Sequence, residues 1–210
     1  LDTIDDRYKL IPINENMKPF KVAIIFSGLE RSLANSSYNL RVDECKAAAY
    51  ELKGLANMEY GKFNDTRLRD VPREIFEEYK SYLPVNWYRR ALHFYDENER
   101  VMLGVQAWKD GDLDKFGKLI FESGYSSIYN YETGSEELRA LYEIMTNTDG
   151  IYGGRFSGAG FKGFCMALID PEKEESIKEN ITQEYLNRFP LLKDRFSIHI
   201  CEISNGVELK

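Results

Sequence analysis

The sequence predicts an α+β fold, a mostly antiparallel sheet packed against a helical cluster. Strand-like runs occur at 21–27, 164–169 and 196–201, toward the two ends of the chain. The long middle stretch shows helical spacing instead, without the strand–helix alternation a parallel sheet requires. No internal repeat, low-complexity tract or long linker divides the 210 residues. That length can bury a core as one large domain or two small ones.

In chain order, Tyr8-Lys9-Leu10-Ile11-Pro12-Ile13 reads as an edge strand, because proline removes a ladder donor. Lys21-Val22-Ala23-Ile24-Ile25-Phe26-Ser27 is apolar on both faces and reads as a central strand. Gly28 ends it, so the next segment leaves from a strand's C-terminal end, where ligands commonly sit in α/β architectures. The serines before Tyr38 offer an N-cap for a helix over about 37–53, with Leu40, Glu44, Ala47, Ala48 and Leu52 at helical spacing. Tyr38 and Arg41 share one face of its first turn. Residues 58–72 read as a loop with short helical turns, and 74–80 as a helix stopped near Pro84. A long helix follows from Asn86 with Phe94, Val101, Val105 and Trp108 in one stripe, ending at Gly111. Asp112 caps the next, through Phe116, Leu119 and Ile120. Residues 122–132 are too polar and aromatic for a simple core helix. Thr133 with Glu136 makes a capping-box pattern opening a helix that carries Leu138, Leu141, Tyr142 and Met145. A last helix places Ile177, Ile181, Tyr185 and Phe189 on one face. A strand at 196–201 follows, and Val207-Glu208-Leu209 suggests a short further one.

Residues 151–165 contain five glycines and lead into the run 164–169, which is apolar on both faces. The stretch has two readings. It is a ligand loop whose backbone N–H groups can approach an anion or a sugar, or a glycine-rich hairpin joining two core strands.

Composition excludes several functions. The net charge is −7 with no Lys/Arg cluster, so nucleic acid and anionic membranes are not expected partners. No apolar run approaches the ~20 residues that cross a bilayer, and no signal peptide is visible. Cys45, Cys165 and Cys201 lack metal-ligand spacing and read as reduced thiols of a cytoplasmic protein. His93 and His199 read as structural, and no histidine-based metal site or catalytic triad is suggested. A P-loop and a dinucleotide fingerprint are both absent.

Several stretches together resemble the C-terminal half of galactokinases, in the GHMP small-molecule kinase superfamily. Tyr152-Gly153-Gly154-Arg155-Phe156-Ser157-Gly158-Ala159-Gly160-Phe161-Lys162-Gly163 resembles the superfamily's third motif. Ser37-Tyr38-Asn39-x-Arg41 with Glu44-Cys45 resembles the galactokinase Ser-x-Tyr-Asn-x-Arg segment. Arg90-Ala91-x-His93 with Glu97-Asn98-Glu99-Arg100-Val101, then 111–119, Glu122-Ser123 and Tyr131-Glu132, continue in register. Within the family the sequence resembles the galacturonokinase branch, because Lys162 stands where galactokinases usually have glycine and Ser123-Gly124-Tyr125-Ser126-Ser127-Ile128 replaces the usual Ser-His-x-Ser-Leu. Arg31 stands where galactokinases tend to have histidine.

The resemblance implies a GHMP kinase C-terminal domain over 1–210, with about 1–27 belonging to the preceding domain's sheet. It implies phosphoryl transfer from ATP, with Mg²⁺, to the anomeric hydroxyl of galactose or galacturonate. Tyr38 would hydrogen-bond the sugar, and Arg31 and Lys162 could pair with a substrate carboxylate. Ser157, Gly158, Ala159 and Gly160 would support the nucleotide's phosphate loop. The catalytic Asp and the phosphate loop itself belong to the family's N-terminal half, so no catalytic residue or metal ligand is assigned here, and the chain alone should not turn over substrate. The alternative is a galactokinase-like regulator that binds sugar and nucleotide without transferring phosphate.

Overall fold

The computed structural model describes residues 1–2, 4–29, 38–158, 160 and 163–203. Their elements run β1 (Lys21–Phe26), α1 (Tyr38–Leu55), α2 (Arg73–Tyr79), α3 (Val85–Asp110), α4 (Leu113–Tyr129), α5 (Glu136–Asn147), β2 (Ile151–Phe156), β3 (Phe164–Ile169), α6 (Glu174–Arg188) and β4 (Ser197–Cys201), with short 3₁₀ turns between. The four strands form one antiparallel sheet in the order β2-β3-β1-β4. The α+β expectation holds, and β1 is central, between β3 and β4. Of the 1–27 segment suggested for a preceding sheet, Lys21–Phe26 therefore pairs within this chain.

The register puts small and apolar residues in line on one face. Ala23 lies opposite Ala167 and Ile200, and Cys165 lies opposite both Ile25 and Phe156. Leu138, Leu141 and Met145 of α5 and Ile177, Ile181 and Tyr185 of α6 close over this face. Both helices follow the expected spacing. Tyr185 donates to the Ser27 carbonyl at 2.7 Å, fixing α6 to the end of β1. A second core joins α1, α2 and α3 through Ala48, Ala49, Leu52, Phe76, Ala91 and Tyr95, the alanines letting the helices approach closely.

α4 connects the two cores, and glycines make this possible. A Cβ on Gly117 would lie 2.1 Å from the Tyr152 carbonyl oxygen, and one on Gly153 2.2 Å from the Gly117 carbonyl. Helix and strand touch there backbone to backbone.

Several expectations fail for physical reasons. Residues 8–13 form no strand: Leu10 is 82% exposed, and the segment lies across α3, where Trp108 Nε1 donates to the Pro12 carbonyl at 3.2 Å. An alternating pattern needs a partner ladder, and none forms there among the described residues. β3 is not apolar-buried on both faces. Phe164 and Met166 are exposed while Cys165, Ala167 and Ile169 are buried, because helices cover only one side. Leu40 is exposed rather than packed on the buried face of α1. The buried positions of α3 are Arg90, Ala91, Tyr95, Gly104 and Ala107, while Val101 faces outward, because small residues face α1 and α4. α4 runs unbroken through the polar stretch to Tyr129 and buries Ser123, Ser126 and Ser127. α5 is capped by Ser135, whose hydroxyl accepts from Leu138 N, whereas Thr133 Oγ1 donates to the Ser127 carbonyl at 3.0 Å. Residues 207–209 lie outside the described residues.

Candidate functional site

The candidate site is built at the start of α1 and the turn after α4. Tyr38 is the first residue of α1 and is half-exposed, so its phenol is available to a ligand. One turn on, Arg41 Nη1 bonds Glu44 Oε2 at 3.1 Å, and its Nη2 reaches the Glu132 carbonyl at 3.3 Å and carboxylate at 3.5 Å. Arg90, fully buried in α3, donates Nε to Glu44 at 2.6 Å, Nη2 to Glu132 at 2.7 Å and Nη1 to the Asn130 carbonyl. Arg89 adds a bond to the second Glu132 oxygen at 2.8 Å. Three guanidiniums thus share two carboxylates. A buried arginine requires such complete pairing. The Arg90 bond is the main influence holding the Glu132 carboxyl below its usual range.

The glycine stretch satisfies both of its readings in different parts. Its first six residues and its last pair as the hairpin β2–β3. Gly153 is consumed by the contact with α4, and Gly154 lies against Met145, so neither is free for a ligand. Arg155 is also structural: its Nη1 donates to Ser123 Oγ, and Glu97 lies 3.5 Å away. The connection itself begins at Ser157, whose N–H bonds the Phe164 carbonyl at 2.9 Å, and closes at Gly163, whose carbonyl accepts from Ser27 N at 2.9 Å. Gly158 (φ +69°), Gly160 (φ +73°) and Gly163 (φ +108°) hold left-handed conformations that glycine adopts without the cost a Cβ would impose. Gly160 is buried over the Phe156 ring, and a Cβ there would lie 3.3 Å from Thr133 Oγ1.

Of the residues proposed from sequence, Tyr38, Ser157, Gly158 and Gly160 are described, while Arg31, Ala159 and Lys162 lie outside the described residues. The turn after α4 lies near two of them: Glu132 bonds Arg41 in the first turn of α1 behind Tyr38, and its neighbour Thr133 lies beside Gly160. Sequence reasoning assigned Glu132, Arg90 and Tyr131 no role, although Tyr131-Glu132 and Arg90-Ala91 were part of the resemblance. The signal was the excess of polar residues in 122–132, which is explained once a buried guanidinium needs partners.

Tyr131 packs against His93 with ring centres 4.7 Å apart and the planes tilted by 31°. Burial pushes Cys45 up to about 11 and draws His93 down to about 4. His93 Nδ1 lies 3.0 Å from Ser126 Oγ, and exposed His199 meets Ser197 Oγ at 3.1 Å. A groove of about 490 Å³ opens between α3 and α4, lined by Leu10, Val101, Gly104, Trp108 and Phe116, with Arg155 at its polar end. Neither Tyr38 nor the glycine connection lines it. Among the described residues, no helix is long and apolar enough to cross a membrane, and no three His, Cys, Asp or Glu side chains are grouped to hold a metal ion.

Residues 105–187 match the family profile described as GHMP kinases C terminal. The galacturonokinase of Arabidopsis thaliana is 39% identical over 207 residues, covering 96% of this chain and 48% of that protein. The galactokinase of Ligilactobacillus salivarius is 33% identical over 211 residues, covering 100% of this chain and 51% of its own length. The galactokinase of Lactococcus lactis, solved in complex with galactose, superimposes with a TM-score of 0.79 at 25% identity, over 95% of this chain and 49% of that one. The chain spans about half the length of the curated relatives it matches. On these grounds residues 105–187 form a GHMP kinase C-terminal domain, within a chain similar along nearly its whole length to about half of these galacturonokinase and galactokinase relatives.

Proposed function

We propose that this chain is the C-terminal half of an ATP-dependent, cytoplasmic kinase of galactokinase type that phosphorylates the anomeric hydroxyl of galactose or galacturonate. The observation that carries the reading is a convergence. The α1 start with Tyr38 and the glycine connection with Gly160 are far apart in sequence, yet Arg41, one turn past Tyr38, bonds Glu132, and Gly160 lies beside the next residue, Thr133.

In this reading the Tyr38 phenol hydrogen-bonds a ring hydroxyl of the sugar. The backbone of Ser157, Gly158, Ala159 and Gly160 lies beside the nucleotide phosphates, where left-handed glycines admit close approach. Arg31 and Lys162 take the carboxylate when the substrate is the sugar acid. ATP with Mg²⁺ supplies the phosphoryl group and its charge neutralisation. The ion's ligands and the catalytic groups are assigned to an N-terminal half, which is the proposed partner of this chain. This chain alone therefore binds and positions but does not transfer phosphate.

Tyr38→Phe in the full-length kinase tests the reading. Loss of one hydrogen bond to substrate should raise the sugar KM about tenfold and leave the ATP KM unchanged. Equal changes for both substrates, or none, would overturn it.

A further inference from the structure

Glu132 is the one residue of the polar network whose backbone is also out of the ordinary. It holds φ +55°, a left-handed conformation that a side chain with a Cβ adopts only at a cost. Asparagine or glycine would suit such a turn better, and the chain places a glycine only two residues later, at Gly134 (φ +92°). The geometry explains the choice. From this strained position the carboxylate meets Arg41, Arg89 and Arg90 together, with Arg90 and Arg89 at 2.7 and 2.8 Å, while the carbonyl of the same residue accepts from Arg41. The next residue, Thr133, is tied by its hydroxyl to the end of α4 and lies beside Gly160.

We infer that Glu132 is a positioning residue. It fixes the first turn of α1, and with it Tyr38, in register with the turn that supports the glycine connection, so that the sugar and phosphate contacts are set by one carboxylate. This rests on the assignment of Tyr38 to the sugar made above. Glu44 joins Arg41 of α1 to Arg90 of α3. The second carboxylate adds the link between α1 and the 130–134 turn.

The test is a double-mutant cycle in the full-length kinase, using Glu132→Gln, Tyr38→Phe and the pair. Gln keeps the shape and removes the charge. The expected result is a sugar KM raised about tenfold by Glu132→Gln, with kcat changed far less. The double variant should be no worse than Tyr38→Phe alone, because both act through the same phenol. Additive effects on KM, or a loss confined to kcat or to thermal stability, would overturn the inference. Where Glu132→Gln fails to fold, Arg41→Lys is read in its place: it keeps the charge, loses the fork, and should show the same non-additivity. A Tyr38→Phe variant with normal sugar KM sinks the sugar assignment and this inference together. A normal Glu132→Gln beside an impaired Tyr38→Phe sinks this inference alone.

Discussion

His93 shows how a single buried group shapes the acid response. Its imidazole is packed against Tyr131 and Ser126, and burial draws its pKa to about 4 against the opposing pull of Glu97, with Arg100, Arg155 and Arg90 adding to the depression. An unfolded imidazole binds its proton near pH 6.5, so the unfolded state gains protons first as pH falls. Stability from this residue is complete above about pH 6.5 and is lost progressively down to about pH 4. The loss should amount to about 2 kcal/mol, since the ring is not fully enclosed. Denaturant midpoints from pH 7 to 4 check this: His93→Gln should flatten the curve across that window, and an unchanged slope would refute it. Glu132 is one of several depressed carboxyls, with Asp2, Glu77, Asp149 and Glu174, that release their contributions only as pH falls through their own lower ranges. The sequence singled out Tyr38 because a named segment carried it. The contacts of Glu132 were not readable, because they depend on arginines from α1 and α3 that meet only in the folded chain.

At the scale of elements, the joint between α4 and β2 is the most exacting contact. Gly117→Ala should cost more than about 3 kcal/mol, because the new Cβ would meet a carbonyl that cannot rotate aside. A thermal melt would show the loss, and a variant within about 1 kcal/mol of the parent, judged against about 2–4 °C per kcal/mol for a chain of this size, would show that the helix can slide. The buried faces of α5 and α6 were readable from apolar spacing and the start of α4 from its Asp112 cap, whereas the start of α5 was not, since Ser135 caps it in place of Thr133. The strand expected at 8–13 was misread for the opposite reason. Alternation records only which residues avoid water on one side, and pairing depends on a neighbour that the local sequence does not contain. The glycine stretch was ambiguous because identical residues serve packing at Gly153 and turn geometry at Gly158 and Gly160, and only the fold separates them.

At the scale of the whole molecule, two cores hang on one helix, and the chain spans about half the length of the relatives it matches. Substrate choice is tested at this level. In a full-length assay across galactose, galacturonate, arabinose and glucuronate, Lys162→Gly should selectively weaken the acidic sugars, by about tenfold for one lost charged contact. Equal losses for galactose and galacturonate would remove the carboxylate role. The meeting of Gly117 with Gly153 has a wider consequence. With no side chain at that point, its spacing cannot be retuned by swapping core residues for bulkier or slimmer ones. It serves as a fulcrum: drift in either core can only rotate the helical and sheet halves about it, so the gap between them keeps its width while its angle remains adjustable.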